Sequence, residues 1–293
     1  MTQYAVADIG SNTMVLVIYE LHDGHPVQIY HESTPAHLIE HVNDQGQMSL
    51  QGIQKAYDVL KTYQKICDEK AIAFRWADIT EPCRIQNQRS LVEALSSCSF
   101  EIYPLTGYEE AACDYIGSKN SWPEQKDGIA FDVGGGSTEL IAFRHGEILD
   151  ALSFHLGCVR LAHLSLDTPE CREQLLIAQK DHPAFQSPVL QLIGIGGTMR
   201  AAGLAANAIY HTGNVLSSND LRQFYLDLVS GDPRATAAMQ QHVRESRQSV
   251  FLPGVHMILE ICALFSAQKI LISDSGIREG FLQMCIDKHK VIK

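Results

Sequence analysis

Several signatures of membrane and secreted proteins are missing from this sequence. The N-terminus has no basic segment followed by a long apolar run, and no apolar stretch approaches the roughly 20 residues needed to span a bilayer. The eight cysteines show no CxxC spacing, so we expect reduced, buried thiols and not a disulfide framework. These absences predict a cytoplasmic location and no membrane partner.

Positive charge is also scarce. The chain has 23 lysines and arginines against 34 acidic residues, which gives a formal net charge of −11. Binding of nucleic acid through a broad basic surface is therefore excluded, and we expect no nucleic-acid partner. A polyanionic substrate would need a few local basic residues or a metal ion. With 293 residues, of which 45% are hydrophobic, the length and composition fit two modest domains with packed cores.

A further absence is the GxxxxGK[ST] motif, which argues against a P-loop nucleotide site. A different glycine-rich segment is present at residues 130–140, AFDVGGGSTEL, where an apolar strand ends in Asp132 and Glu139 follows the glycines. Consecutive glycines let the backbone approach a ligand and aim N–H groups at phosphate oxygens. The two carboxylates are hard donors that suit Mg²⁺. A plain glycine-rich hairpin turn is the alternative interpretation.

The same plan occurs twice along the chain. Strand patterns at residues 5–9, 14–21 and 26–32 are repeated at residues 128–133, 138–144 and 147–155. In each set, a strand ending in an aspartate leads through a loop into a hairpin, with Asp8 in the first set and Asp132 in the second. The duplication predicts two similar α/β halves with a ligand cleft between them. A linker candidate at residues 120–127 sets the predicted domains at 1–124 and 125–293.

Helical patterns lie between the strands. Ser49 is expected to cap a helix that continues to about residue 70, and a turn followed by two acids starts another helix at residue 106. Further helices are predicted at residues 254–265 and after Thr168-Pro169. Helices alternating with strands indicate an α/β class with a crossover-connected sheet.

Six motifs together resemble the exopolyphosphatase / guanosine pentaphosphate phosphohydrolase family, a relative of actin, sugar kinases and heat-shock chaperone ATPases. They are ADIGSNT (7–13), TGYEEA (106–111), FDVGGGSTEL (131–140), GCVRL (157–161), GIGGTMR (194–200) and SGIREGF (275–281). The resemblance implies two ribonuclease H-like (actin-like) domains with an interdomain cleft. It also implies a terminal helix that packs back on the first domain, a homodimer, and a length similar to the short two-domain members.

The resemblance assigns roles residue by residue. Glu110, the second glutamate of the Glu-Glu-Ala motif, is the implied catalytic base that activates water. The implied phosphate-binding residues are Gly10, Ser11, Asn12, Thr13, Arg84, Gly134, Gly135, Gly136, Ser137 and Thr138. The implied metal ligands are Asp8, Asp132 and Glu139, for Mg²⁺ or Mn²⁺. The expected activity is release of the terminal phosphate from inorganic polyphosphate or from a guanosine penta- or tetraphosphate.

Some residues depart from the family pattern. Val15 and His37 stand where the family carries arginines, and Glu81-Pro82 replaces a Ser-Ala pair. A hydrogen bond from arginine is about twice as strong as a neutral one, so phosphate-binding charge is lost. Two alternatives therefore stay open: a non-catalytic regulator that binds an alarmone or polyphosphate, and a kinase of the same fold.

The segment HLIEH at residues 37–41 also fits the HxxEH pattern of one zinc-peptidase class. It lies between Pro35 and a turn at residues 43–46, which leaves too little room for a secure helix. No downstream motif supplies a further ligand. We therefore expect a loop here and not a metal site.

Overall fold

Two mixed β-sheets, each with its own hydrophobic core, organise the residues described by the computed structural model, 2–163 and 170–291. Unit 1 consists of Met1–Cys113 and Arg278–Lys293, and unit 2 of Asp114–Ile277. The domain boundary expected after residue 124 stays a prediction. The helix start expected at Thr168-Pro169 lies outside the described residues.

Unit 1 contains a five-stranded sheet in the order β3-β2-β1-β4-β5. The strands are β1 (Gln3–Ile9), β2 (Thr13–His22), β3 (His25–Pro35), β4 (Phe74–Ile79) and β5 (Glu101–Pro104). The first three form an antiparallel meander, while β4 is parallel to β1 and β5 is parallel to β4. The three strands predicted at the start of the chain are therefore confirmed.

Four helices accompany this sheet wholly or in part. They are α1 (Leu50–Glu69), α2 (Gln88–Leu95), α3 (Gly107–Ser118) and α10 (Ile277–Val291). As predicted, Ser49 caps α1, because its side chain accepts a hydrogen bond from the Gly52 amide at 3.2 Å. The buried residues of α1 recur at helical spacing, among them Ala56, Leu60 and Tyr63. This apolar face packs in the core of unit 1.

Unit 2 repeats the strand order of unit 1 and adds an edge strand. Its order is β10-β11-β9-β6-β7-β8. The strands are β6 (Gly128–Val133), β7 (Thr138–Arg144), β8 (Glu147–Phe154), β9 (Gln191–Ile195), β10 (Val215–Ser217) and β11 (Lys269–Ile272). An antiparallel meander, β6 to β8, is again continued by two parallel strands, β9 and β11. Both sheets thus have the ribonuclease H-like arrangement, which confirms the predicted α/β fold.

Six helices of unit 2 are α4 (Cys158–Ala162), α5 (Glu170–Asp181), α6 (Gly196–Tyr210), α7 (Ser218–Ser230), α8 (Pro233–His242) and α9 (Glu245–Phe265). The prediction that the ninth helix starts at Gly254 is wrong, because α9 begins at Glu245 and contains Pro253. A proline inside a helix removes one backbone hydrogen bond. Burial of apolar side chains on both sides of it, such as Phe251 and Val255, offsets that cost.

Among the described helices, α9 is the one long and apolar enough to cross a membrane, judged by length and composition. It has 21 residues, and 56% of its most apolar window is buried inside the protein. A helix that is apolar on all sides also suits the core of a folded domain. The side chains of α9 are part of the unit 2 core.

All eight cysteines are free and buried, as the lack of CxxC spacing predicted. Burial raises the pKa of the Cys67 and Cys83 thiols to about 11. At neutral pH these thiols are therefore protonated and poor nucleophiles.

Candidate active site

In unit 1, the loop between β1 and β2 is fixed through its carbonyl oxygens. The Ser11 carbonyl accepts a hydrogen bond from the Ile39 amide at 3.0 Å, and the Asn12 carbonyl accepts from the Ala36 and His37 amides, each at 2.9 Å. Carbonyl oxygens would repel phosphate, so engaging them elsewhere makes the loop better suited to an anion. We call residues 10–13 the first loop.

The HLIEH segment thus supports the first loop with its backbone. It contains a short 3-10 helix, Leu38–His41, and the Nδ1 atom of His37 lies 3.5 Å from Oε1 of Glu40. In the described parts of the chain, 2–163 and 170–291, no group of three or more His, Cys, Asp or Glu side chains could hold a metal ion. The zinc-peptidase interpretation therefore gains no support from the structure.

In unit 2, the loop between β6 and β7 is fixed in the same way. Three donors of α4 hold its carbonyl oxygens. The Cys158 amide donates to the Gly134 carbonyl (2.9 Å), the Val159 amide to the Gly135 carbonyl (2.9 Å), and Nε of Arg160 to the Gly136 carbonyl (3.1 Å). After the glycines, Ser137 is buried and the Thr138 hydroxyl donates to the Leu156 carbonyl at 2.7 Å. We call residues 134–138 the second loop.

Gly157 permits this close packing of α4 on the second loop. A Cβ atom at Gly157 would lie 2.3 Å from the carbonyl carbon and oxygen of Gly135 and 2.4 Å from the Gly136 nitrogen. Real Cβ atoms essentially never come so close to backbone atoms. Only glycine fits here without movement of the second loop.

Two carboxylates of unit 2 lie on neighbouring strands beside the second loop. Asp132 of β6 and Glu139 of β7 are register partners, so their side chains share one face of the sheet. Glu139 is 1% exposed and accepts a hydrogen bond from the Ser153 hydroxyl at 2.6 Å. This pair of oxygen donors fits Mg²⁺, which usually takes one or two protein carboxylates and completes its coordination with substrate phosphates and water.

The GIGGTMR motif contributes a glycine that touches Asp132. Gly196, the first residue of α6, has φ of +82°, and a Cβ atom there would lie 1.9 Å from Oδ1 of Asp132. A side chain at this position would displace the carboxylate. The motif therefore supports Asp132 by leaving room for it.

Glu110 and Arg84, both in unit 1, form an ion pair between Oε2 and Nη2. Glu110 is 8% exposed and lies in the first turn of α3. Its neighbour Glu109 has a different role. The Glu109 carboxylate accepts a hydrogen bond from the Thr106 amide at 2.8 Å, and the Thr106 hydroxyl accepts one from the Glu109 amide at 3.2 Å. That is a capping box. The structure thus separates the two glutamates into a helix cap and a buried, arginine-paired acid.

The turn after β4 links the first loop to this ion pair. The Ser11 hydroxyl donates to Oε2 of Glu81 at 2.7 Å, and the Arg84 amide donates to the Glu81 carbonyl at 2.9 Å. Three residues assigned to different motifs, Ser11, Arg84 and Glu110, are therefore connected in unit 1. Glu81 was not predicted as a site residue, and the only sequence signal for it was its departure from the family pattern.

Asn87, which matched the same partly preserved pattern as Arg84, has a structural role. Its Oδ1 atom accepts a hydrogen bond from the Met48 amide at 2.9 Å, and its Nδ2 atom donates one to the Met48 carbonyl at 2.8 Å. Both polar ends of the side chain are thus used in holding the segment before α1. Arg84 is the residue of this pattern that reaches Glu110.

Asp8, at the end of β1, has a buried acid beside it that the sequence did not reveal. Its register partners are Val15 in β2 and Asp78 in β4. Asp78 is 0% exposed, and neither carboxyl oxygen has a hydrogen-bond partner among the described residues. Burial raises the pKa of Asp78 well above its ordinary value, and the charge of Asp8 raises it further. Asp78 is therefore expected to keep its proton well above the pH at which an ordinary aspartate ionises.

One basic side chain acts on Asp8 within unit 1. Burial lowers the pKa of Arg278, but the charges of Asp8 and Glu279 outweigh this effect and raise that pKa above its usual value. Glu279 in turn accepts a hydrogen bond from the Tyr19 hydroxyl at 2.6 Å. Arg278 thus supplies positive charge to the acid at the end of β1, whose partner in β2 is the uncharged Val15.

Substituting Asp78 by asparagine should stabilise the protein at neutral pH. A raised folded-state pKa means that the proton-dependent stability is complete below the unfolded pKa and is lost as pH rises toward the folded pKa. We expect Asp78→Asn to raise the free energy of unfolding by about 1–3 kcal/mol at pH 7.5 and to change it less at pH 4.5. Urea unfolding at both pH values checks this.

Asp58 on α1 is exposed, so Asp58→Asn is the matched control for Asp78→Asn. We expect it to change the free energy of unfolding by less than about 0.5 kcal/mol. An Asp78→Asn protein that is less stable than the wild type at pH 7.5 would show that the buried carboxylate is a stabilising charge.

Known proteins are similar to this chain along nearly its whole length. The model of the Ppx/GppA phosphatase family matches residues 17–289. A guanosine-5'-triphosphate,3'-diphosphate pyrophosphatase from Pseudoalteromonas atlantica is 23% identical over 300 residues, covering 95% of this chain and 58% of that protein. Exopolyphosphatase 1 from Mycobacterium bovis is 22% identical over 308 residues, covering 97% and 88%. The crystal structure of an exopolyphosphatase from Cytophaga hutchinsonii has a TM-score of 0.82 and 24% identity over 98% of both chains.

Proposed function

Because this chain belongs to the Ppx/GppA phosphatase family, we propose that it releases terminal phosphate from inorganic polyphosphate or from a guanosine penta- or tetraphosphate, with Mg²⁺ as cofactor. The match of the family model to residues 17–289 confirms the family resemblance drawn from the six motifs. The observation that carries the proposed chemistry is the buried ion pair of Glu110 and Arg84, linked to the first loop through the 81–84 turn.

Hydrolysis of a phosphoanhydride mainly requires positioning and electrostatic stabilisation. Water attacks the terminal phosphorus, the bond from that phosphorus to the bridging oxygen breaks, and the shortened chain leaves with that oxygen. Glu110 accepts the proton that the attacking water loses. General bases of this kind contribute about 10²–10⁴-fold to the rate.

Arg84 serves both partners of this reaction. Its guanidinium holds Glu110 in place, and its positive charge attracts phosphate oxygens. Within unit 1, the N–H groups of the first loop, whose Ser11 and Asn12 carbonyls are engaged elsewhere, supply further donors for an anion. Within unit 2, the Gly134 amide donates to the Ser137 carbonyl at 2.9 Å, which leaves anion binding to the other amides of the second loop. Negative charge that develops on the phosphate is thus met by fixed donors.

Mg²⁺, when bound, would neutralise phosphate charge as a Lewis acid. Asp132 and Glu139 would hold it, since they form a pair of hard oxygen donors on one face of the unit 2 sheet. Asp8, the third predicted ligand, belongs to unit 1, where it interacts electrostatically with the positive charge of Arg278. Mn²⁺ prefers similar oxygen donors and is the natural substitute.

A phosphate-release assay tests the proposal with three substrates: tripolyphosphate, long-chain polyphosphate and guanosine pentaphosphate. We expect release from at least one of them with Mg²⁺ or Mn²⁺, and none in excess EDTA. Absence of release from all three would overturn the proposal. In that case, tight binding without turnover would indicate the non-catalytic regulator, and ATP-dependent labelling of an acceptor would indicate the kinase.

A further inference from the structure

Ser153 belongs to a polar row that crosses three neighbouring strands of unit 2. Asp132 of β6 lies opposite Glu139 of β7, and Glu139 in turn lies opposite Ser153 of β8. Residues directly opposite each other share one face of a sheet. The Ser153 hydroxyl therefore lies beside the carboxylate that we assign to Mg²⁺, and it donates a hydrogen bond to Oε1 of Glu139 at 2.6 Å.

This hydrogen bond restricts how the Glu139 carboxylate can turn. Its length is typical of a hydroxyl that donates to an ionised carboxylate, for which about 2.5–2.7 Å is usual. The last torsion of a glutamate side chain is otherwise soft, so the carboxylate plane rotates easily. Glu139 is 1% exposed, and solvent therefore does little to hold its carboxylate. The bond from Ser153 limits the orientations that remain.

The corresponding row of unit 1 also ends in a serine, but the residue opposite that serine is not an acid. The row consists of Asp8, Val15 and Ser33 across β1, β2 and β3. A valine side chain cannot accept a hydrogen bond. Of the two rows, the one that carries the carboxylate pair is thus the one in which the serine faces a carboxylate across the strands.

We propose that Ser153 is a positioning residue for the cation site, because its hydroxyl holds the Glu139 carboxylate in the orientation in which it binds Mg²⁺ together with Asp132. This inference rests on the proposed function and deepens it. Mg²⁺ demands nearly ideal octahedral geometry, so rotation of a ligand weakens its binding. Loss of a partner that orients a metal ligand typically costs about 10–100-fold in metal affinity.

Ser153→Ala removes the hydroxyl and tests this role directly. We expect the dissociation constant of Mn²⁺, measured from the electron paramagnetic resonance signal of the free ion, to rise about tenfold or more. Ser153→Thr keeps the hydroxyl and should bind Mn²⁺ within about threefold of the wild type. Glu139→Gln should abolish the same binding, since it removes the ligand itself. Unchanged Mn²⁺ affinity in Ser153→Ala or in Glu139→Gln would overturn the inference.

A purely structural role of Ser153 predicts a different result, namely lower stability in urea with unchanged metal affinity. Ser33→Ala is the matched control, since it makes the same change at the corresponding place in unit 1, and it should alter the Mn²⁺ affinity less than about twofold. Equal weakening in Ser33→Ala would contradict a special role of Ser153. If Ser153→Ala does not fold, Ser153→Cys takes its place, because a thiol is a weaker donor. An unchanged Mn²⁺ affinity in Ser153→Cys would then overturn the inference.

The hydrolysis assay gives a second readout. In Ser153→Ala, the Mg²⁺ concentration that gives half of the maximal rate with tripolyphosphate should rise about tenfold, while kcat at saturating Mg²⁺ stays within about threefold. A lower kcat with an unchanged Mg²⁺ requirement would contradict the positioning role.

Mn²⁺ binding requires no turnover, so this inference and the proposed function can fail separately. A wild type that releases no phosphate, but whose Mn²⁺ affinity depends on Ser153, would refute the hydrolase and support the positioning role. Phosphate release by the wild type with a Mn²⁺ affinity that does not depend on Ser153 would do the reverse.

Discussion

Glu110→Gln is expected to lower the rate of phosphate release by about a thousandfold or more, with the fold intact. Glutamine has the size of glutamate, but its amide cannot take a proton from water at neutral pH. The buried side chain also loses its charge and hence its ion pair with Arg84. The measurement is kcat for tripolyphosphate with Mg²⁺, accompanied by circular dichroism and urea unfolding of the variant.

The adjacent Glu109→Gln is a closely matched control. Glu109 completes the capping box of α3 through the Thr106 amide, so its loss should cost about 1 kcal/mol or less of stability. Its activity should stay within about threefold of the wild type, because the Arg84–Glu110 pair is left in place. Equal rates for wild type and Glu110→Gln would remove Glu110 from the mechanism.

Gly157→Ala is expected to lower kcat/KM by about a hundredfold or more. The added Cβ atom would overlap the backbone of Gly135 and Gly136, so either the second loop or α4 must move. A displacement of about 1 Å in a group that positions substrate can cost about a hundredfold in rate. The hydrogen bonds from the Cys158 and Val159 amides would be lost or lengthened by the same movement.

Gly146→Ala distinguishes this effect from a general penalty for replacing glycine. Gly146 has φ of +79° in the turn between β7 and β8, and a Cβ atom there would meet nothing within 4 Å. This variant should lose about 1 kcal/mol of stability and keep its activity. If Gly157→Ala kept wild-type kcat/KM, the second loop would not depend on its packing against α4.

The duplicated plan could be predicted because it depends on local patterns. A strand, a loop of small residues and a hairpin each leave a signature within a few positions. The repeat predicted two similar halves; the structure shows that the two sheets share a strand order, and Asp8 and Asp132 occupy corresponding places in β1 and β6. The family resemblance added the roles of Glu110 and Arg84, which no periodicity could supply.

Contacts between distant residues explain what was missed. Ser11 and Glu81 are 70 positions apart, and their hydrogen bond appears only when β1 and β4 are paired. No local pattern reveals the buried acid Asp78, because its burial and its position beside Asp8 depend on the same pairing. The start of α9 was missed for a different reason, since tertiary packing outweighs the local penalty of Pro253.

The two halves also differ in their chemistry, although their topology is the same. The register partner of Asp132 in its hairpin is Glu139, which makes a carboxylate pair, whereas the partner of Asp8 is Val15. Unit 1 instead carries Arg84, Glu110 and Glu81 on the segments after β4 and β5. In the proposed mechanism the duplicated loops bind the anion, while the base and its arginine come from residues that are not duplicated.

The most direct test of the central claim is hydrolysis of tripolyphosphate in ¹⁸O-labelled water by the wild type and by Glu110→Gln. The proposed mechanism predicts that each orthophosphate released by the wild type carries one oxygen from water, and that Glu110→Gln releases labelled phosphate at less than about a thousandth of that rate. Release of unlabelled phosphate would contradict attack of water at the terminal phosphorus, and equal labelling rates in the two proteins would contradict water activation by Glu110.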